Sequence, residues 1–172
     1  MTVRLALDQN FPTPLIKAAK PWLGAIELRH THEIDPRLSE LDDWELLLAL
    51  LHHRDGYVGM ITADARMIEQ AKELAVLQQT GLSLVVAERS GHDPVKATGL
   101  VLTHISHIVG QIGGKKSKIW SLSSHAPLPK GPRDYLGQLA SKEGKSIDQA
   151  FNEARVDEGT LRRDPLTGRS YS

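Results

Sequence analysis

Short apolar runs alternate with amphipathic segments along most of the chain. The apolar runs have the length of strands and are rich in Val, Ile and Leu, which predicts five strands at Val3–Leu7, Ala25–Leu28, Tyr57–Thr62, Leu82–Ala87 and Ile119–Leu122. Apolar residues at helical spacing fill the segments between them, apart from a polar stretch at 29–38 that predicts a loop. This alternation predicts an α/β fold: a mostly parallel central sheet with right-handed crossovers and helices on both faces, which is a three-layer sandwich.

Two of the predicted helices have clear sequence signals. Ser39 or Asp42 begins a helix whose apolar face carries Leu46, Leu47, Leu50 and Leu51, and Ser39 is a candidate N-cap. Residues 65–79 predict one long helix that ends at Gly81.

The C-terminal part of the chain differs in character. Three prolines and a glycine between 127 and 132 predict a linker, and two short helices follow at Arg133–Lys142 and Ser146–Val156. The segment 160–172 has little apolar content and is expected to be loose. The sequence therefore predicts a domain at 1–124 and a linker with a partly helical tail at 125–172. The amphipathic stretch around Phe151 could dock on the domain, dimerise or bind a partner protein.

Composition narrows the class of protein. The chain has 172 residues, of which 40% are hydrophobic, and it contains no cysteine, which excludes disulfides and thiolate catalysis. No apolar run reaches the roughly 18 residues of a membrane span, and no signal peptide is recognised, so a cytoplasmic protein without a membrane partner is expected. Residues 1–114 carry 10 basic and 14 acidic residues, whereas 115–172 carry 11 and 7. A basic tail could contact nucleic acid phosphates, although ordinary surface charge explains it equally well.

Three aspartates occupy positions that parallel sheets use for chemistry. Asp8 ends the first predicted strand, Asp64 follows the third, and Asp43 lies in the first turn of the helix between them. Carboxylates forced together repel each other unless a divalent cation neutralises them, and all-oxygen ligation suits Mg²⁺ or Mn²⁺. Helix capping by Asp64 and a favourable helix dipole at Asp43 are the simpler alternatives.

The segments around these aspartates resemble the three acidic motifs of PIN-like domains. The segments are Leu7-Asp8-Gln9-Asn10-Phe11-Pro12, Asp43-Trp44-Glu45-Leu46-Leu47 and Ile61-Thr62-Ala63-Asp64. The resemblance covers about residues 1–122, and it is closest to small bacterial and archaeal PIN-like proteins, a superfamily that includes VapC-type toxins of toxin–antitoxin pairs.

The resemblance implies a Mg²⁺- or Mn²⁺-dependent ribonuclease. Asp8, Asp43 and Asp64 would be its catalytic metal ligands, and Asn10 and Thr62 would orient those ligands or a bound water. The implied partners are an RNA substrate and an antitoxin protein, with a second copy of the chain as a further alternative.

Two positions depart from the family pattern and support a second hypothesis. Gln9 stands where relatives have an acid, and Arg66 stands where they often carry a further Asp. Arg66 cannot bind a metal, but it could neutralise the cluster or contact a phosphate. The alternative is therefore a PIN-like module that lost its chemistry and binds RNA or a protein. A receiver-like phosphoacceptor fits less well, because its characteristic residues fall in a different order along the strands.

Overall fold

A five-stranded, fully parallel sheet forms the centre of the molecule in the computed structural model, which describes residues 1–87 and 92–172. The strands pair in the order β2-β1-β3-β4-β5, and they are β1 (Val3–Leu7), β2 (Ile26–His30), β3 (Tyr57–Thr62), β4 (Ser83–Val86) and β5 (Ile119–Ser121). The predicted α/β class with a parallel sheet is confirmed.

The helices of the described residues cover both faces of this sheet. They are α1 (Thr13–Ala19), α2 (Thr31–Ile34), α3 (Asp43–His52), α4 (Ala71–Thr80), α5 (Pro94–Gln111), α6 (Pro132–Lys142), α7 (Ile147–Ala154) and α8 (Glu158–Leu161), with 3₁₀ turns at Lys20–Trp22, Pro36–Glu40 and Ala65–Ile68. One core joins the sheet to α3, α4 and α6. The other joins it to α1 and α5. Alternate residues of a strand enter alternate cores, as the two-residue period of a strand requires. The exception is β3, in which Tyr57 and Met60 enter the same core on either side of a register shift in its pairing with β1.

The crossover from β4 to β5 differs in hand from the others. Helix α5 shares a core with α1, and yet the chain moves across the sheet in opposite directions at the two crossovers. Helices α3 and α4 lie on the other face. The prediction that every crossover is right-handed is therefore wrong, because β4-α5-β5 has the opposite hand to the other three.

Three local predictions are also wrong. Segment 29–38 is not a loop, because β2 continues to His30 and α2 follows. Ser39 does not cap α3; Asp42 is its N-cap, and the Asp42 amide donates to Glu45 Oε2 at 3.1 Å. The predicted long helix at 65–79 is two elements, because the chain leaves helical geometry at Gln70 between the 3₁₀ turn and α4.

The C-terminal tail packs on the domain. Helix α6 contacts α4, and α7 contacts both, so the amphipathic stretch around Phe151 docks on the chain itself. Gln79 and the backbone of Val156 exchange two hydrogen bonds, at 2.9 and 3.1 Å. The final segment is not loose: His52 Nε2 lies 2.9 Å from the Leu161 carbonyl, and Asp164 is buried in a hydrogen-bonded turn.

Within the described ranges, no helix is both long enough and apolar enough to cross a membrane.

Candidate active site

The candidate site lies where the strand order reverses. Strands β1 and β3 are neighbours, but the chain leaves β1 through α1 on one face and leaves β3 through α4 on the other. The diverging connections leave a crevice at the carboxyl ends of these two strands, which is the place where open α/β sheets bind ligands. Asp8 immediately follows β1, and Asp64 lies two residues beyond β3.

Asp8 is held in place by three donors. The Thr62 hydroxyl and the Ala63 amide donate to Asp8 Oδ2 at 2.6 and 2.8 Å, and the Asn10 amide donates to Oδ1 at 2.8 Å. The Asp8 amide donates to the Ile61 carbonyl at 3.0 Å, which ties the end of β1 to β3. Asn10 therefore orients Asp8 through its backbone, and its side chain is exposed.

Thr62 connects two of the predicted site residues. Its side chain is 2% exposed. While its hydroxyl donates to Asp8, the Oγ1 atom accepts from the Asp64 amide at 3.0 Å. One buried hydroxyl thus fixes the Asp8 carboxylate and the backbone of Asp64 relative to each other.

Asp64 is paired with Arg66. The Arg66 amide donates to Asp64 Oδ1 at 2.9 Å, and its guanidinium contacts both carboxylate oxygens, with Nε 3.0 and 2.9 Å from Oδ1 and Oδ2. These hydrogen bonds, chiefly the one from the Arg66 side chain, lower the pKa of Asp64. Asp35 and Arg37 form the same arrangement at the start of another 3₁₀ turn. The pairing is therefore a property of the local Asp-x-Arg turn.

Asp43 shares an electrostatic environment with the other two aspartates. It is the first residue of α3 and is half-buried. Burial raises the pKa of its carboxyl, the charge of Asp64 raises it further, and Asp8 acts in the same direction, while Arg66 opposes them. The charges of Asp64 and, to a smaller extent, Asp8 therefore act on Asp43 at the start of α3.

These aspartates could offer only one or two protein ligands to a divalent cation. In ranges 1–87 and 92–172, no three His, Cys, Asp or Glu side chains form a group that could hold a metal ion by themselves. Mg²⁺ is commonly bound by one or two carboxylates, with water and substrate phosphate completing its octahedron. Asp8 and Asp43 make no ion pair of 4 Å or less among the described residues, so they fit that open mode, whereas Asp64 becomes free only when Arg66 moves away.

Glu73 is a further acidic residue near the site. It lies in the first turn of α4, is 5% exposed, and its Oε2 atom has no hydrogen-bond partner in the described part of the protein. Burial is the main cause of its raised pKa, and the charge of Asp43 adds to it. A helix running unbroken from Ala65 would make Glu73 an ordinary mid-helix acid. Glu73 lies in a first turn only because a new helix, α4, begins at Ala71. No glycine or proline in the sequence signals that the helix begins there.

Comparison of the chain with profiles of protein families, with curated proteins and with solved structures finds no match. Membership of the PIN-like superfamily remains a prediction from the three motifs.

Proposed function

We propose that the protein is a PIN-like ribonuclease that hydrolyses RNA phosphodiester bonds with Mg²⁺ or Mn²⁺. The observation that carries the proposal is the bridge through Thr62, which fixes Asp8 and Asp64 at the switch point of the sheet, from which their charges act on the carboxylate of Asp43. Carboxylates are costly to hold together without a cation, so their shared position favours a metal-dependent reaction over a purely structural role.

Each residue has a distinct part in the proposed reaction. Asp8 and Asp43 would hold the cation, and Asp64 would become available to it when Arg66 turns away. A divalent cation bound there would lower the pKa of water and offset the negative charge of the phosphodiester. Thr62 and the Asn10 amide keep Asp8 in a single orientation. Water adds to phosphorus, one ester P–O bond breaks, and the leaving oxygen takes a proton.

Arg66 suits a role toward the substrate. Its side chain is 75% exposed, so the guanidinium can leave Asp64 for a phosphate at small cost. A planar guanidinium recognises phosphate oxygens by paired hydrogen bonds. Exchange of Arg66 from the carboxylate to the RNA would release Asp64 when the substrate arrives.

The proposed biological role is that of a toxin in a toxin–antitoxin pair, with an antitoxin protein as partner. This part of the proposal rests on the resemblance of the three motifs to those of PIN-like proteins. Helices α6 and α7 of the tail pack on the domain, and the proposal assigns them no part in binding the antitoxin.

A binding module without catalysis is the second candidate. The pairing of Arg66 with both oxygens of Asp64 favours it, because a neutralised carboxylate has less need of a metal. In this alternative the crevice and Arg66 would hold RNA or a protein, and Asp8 would serve only to join β1 to β3.

Cleavage of single-stranded RNA in Mn²⁺ tests the proposal. We expect wild-type protein to cleave, EDTA to stop cleavage, and Asp8→Asn and Asp64→Asn each to lose at least about 100-fold in rate, as loss of a key electrostatic group commonly does. Asp35→Asn is the matched control, since Asp35 forms the same Asp-x-Arg turn away from the crevice. Equal cleavage by all four proteins would refute the nuclease. RNA binding without cleavage by any of them would favour the binding module.

A further inference from the structure

The first turns of α3 and α4 line an open cleft of about 480 Å³. Its polar lining consists of Asp42, Asp43, Gln70, Lys72 and Glu73. The cleft is separate from Asp8, Thr62 and Asp64, none of which lines it.

Glu73 is the anomaly of this cleft. Ionised carboxylates are almost never buried without a partner, because the loss of hydration costs several kcal/mol. Glu73 is only 5% exposed, and its Oε2 atom has no hydrogen-bond partner. Within the described residues, no Lys, Arg or His forms an ion pair with it. Such a group requires a cation or a proton.

The available positive charge does not meet this need. Lys72 lines the cleft and its charge acts on Glu73, but its ammonium lies 4.0 Å from the centre of the Trp44 ring in a cation–π contact and forms no ion pair with Glu73. Each of the two helix N-termini contributes about half a positive charge. The three carboxylates of Asp42, Asp43 and Glu73 outweigh these contributions. The charge of Asp64 also acts on Asp43, although Arg66 opposes it.

We propose that this cleft is a second divalent-cation site, in which Glu73 and Asp43 are the protein ligands and water completes the coordination shell. Hard oxygen donors and room for bound water suit Mg²⁺ or Mn²⁺, which keep several waters when only one or two carboxylates bind them. Asp43 would then belong to both sites. The site needs no RNA and does not depend on the cleavage reaction.

Titration with Mn²⁺ alone, followed by the electron paramagnetic resonance signal of free Mn²⁺, tests this site without any substrate. We expect Glu73→Gln to lose one bound Mn²⁺ relative to wild type, and Asp8→Asn to lose a different one, so that the double variant loses both. Glu69→Gln is the control, because Glu69 is an exposed acid on the preceding turn that does not line the cleft. Its Mn²⁺ binding should match that of wild type.

The thermal unfolding midpoint in EDTA and in Mn²⁺ provides a second readout. Glu73→Gln keeps the shape of the side chain and removes the buried charge, so without metal its midpoint should equal or exceed that of wild type. Saturating Mn²⁺ should raise the wild-type midpoint more than that of Glu73→Gln, since a ligand that binds only the folded state stabilises it.

The outcomes separate this site from the proposed nuclease. Loss of one Mn²⁺ in Glu73→Gln supports the cleft site even if no RNA is cleaved. Unchanged Mn²⁺ binding in Glu73→Gln overturns the cleft site and would identify Glu73 as a protonated structural group. The proposed nuclease would still stand if Asp8→Asn loses its ion. Loss of the same single ion in both variants also overturns a separate site in the cleft.

Discussion

At the scale of single residues, the buried hydroxyl of Thr62 joins Asp8 to Asp64, and its removal should loosen both. In Thr62→Val the side-chain shape is kept, but the Asp64 amide loses its acceptor and Asp8 Oδ2 loses a donor. The Asp64 amide is partly buried, so leaving it unsatisfied should cost about 1 kcal/mol of unfolding free energy, the low end of the range for a buried group. Loss of a group that orients a ligand commonly costs 10- to 100-fold in activity, so we expect Mn²⁺-dependent cleavage to fall in that range.

Thr98→Val is the control for this variant. Thr98 is 1% exposed, and its hydroxyl donates to the Pro94 carbonyl within α5, away from the crevice. Urea unfolding should show a loss of about 1 kcal/mol, with cleavage unchanged. Equal cleavage by Thr62→Val and Thr98→Val would show that the bridge is structural only.

In the proposed active site, the Arg66 side chain would compete with metal for Asp64. An exposed ion pair is worth about 0.2 to 1 kcal/mol, so Arg66→Gln should tighten Mn²⁺ binding by up to about fivefold, measured by calorimetry. The Michaelis constant for RNA should rise if the guanidinium also contacts the substrate. Arg37→Gln breaks the same type of pair at Asp35 and should change neither quantity. Unchanged or weaker Mn²⁺ binding by Arg66→Gln would contradict the competition.

The raised pKa of Asp43 predicts how stability depends on pH. The folded protein holds the Asp43 proton more tightly than the unfolded chain, whose value is near 3.8, so this residue makes stability fall as pH rises from that value through the higher folded pKa. Without metal, Asp43→Asn should therefore gain stability relative to wild type at pH 7, and the gain should disappear as pH is lowered toward 3.8. Denaturant unfolding of both proteins between pH 3.8 and pH 7 checks this expectation. If Asp43→Asn were less stable than wild type at pH 7, the ionised Asp43 carboxylate would not be destabilising.

The residue types and positions of Asp8, Asp43 and Asp64 could be selected from sequence because each sits at a strand end or a helix start, which the apolar pattern marks. The role of Glu73 could not, since it depends on where α4 begins. Residues Met67 and Ile68 are buried in the 3₁₀ turn before that point, and they fit the apolar period of a continuous helix as well as they fit the turn.

At the scale of elements, the tail helices share a hydrophobic core with α4. Leu136 of α6 is fully buried in the cluster that contains Leu74 and Leu77 of α4. Leu136→Ala should lower the free energy of unfolding by about 2 to 5 kcal/mol, since it leaves a cavity in a packed core. Leu128 is 86% exposed in the linker, so Leu128→Ala should change stability by no more than about 0.5 kcal/mol.

Urea unfolding of both leucine variants decides whether the tail belongs to the folded unit. A single cooperative transition that shifts only in Leu136→Ala supports a shared core. A separate early transition for the tail, with the transition of residues 1–124 unchanged by Leu136→Ala, would show instead that α6 and α7 fold apart from the domain.

At the scale of the whole molecule, the sequence predicted a central sheet covered by helices, but it did not predict the hand of every crossover connection. Parallel pairing follows from short apolar runs separated by helices, whereas the strand order is known only from the structure. The opposite hand of β4-α5-β5 does not follow from the apolar pattern, because the apolar face of α5 looks the same whichever face of the sheet it covers. The ordered end of the chain was also unpredictable, since it depends on contacts such as His52 with Leu161, which lie 109 residues apart.

The switch point explains why one crevice can gather aspartates from distant parts of the sequence. Asp8 and Asp64 follow neighbouring strands, and Asp43 begins α3 in the connection that crosses over β1. If these three carboxylates form one catalytic unit, the loss of any one should remove most of what the unit provides.

A double-variant cycle on the rate of Mn²⁺-dependent RNA cleavage tests this unity most directly. The proteins are wild type, Asp8→Asn, Asp43→Asn and the double variant, with Asp148→Asn as control because Asp148 is an exposed acid in the first turn of α7. We expect each single variant to lose at least about 100-fold, the double variant to lose little more than either, and the control to match wild type, because residues that act as one unit are strongly non-additive. Single variants that cleave like wild type, or losses that multiply in the double variant, would contradict a shared active site.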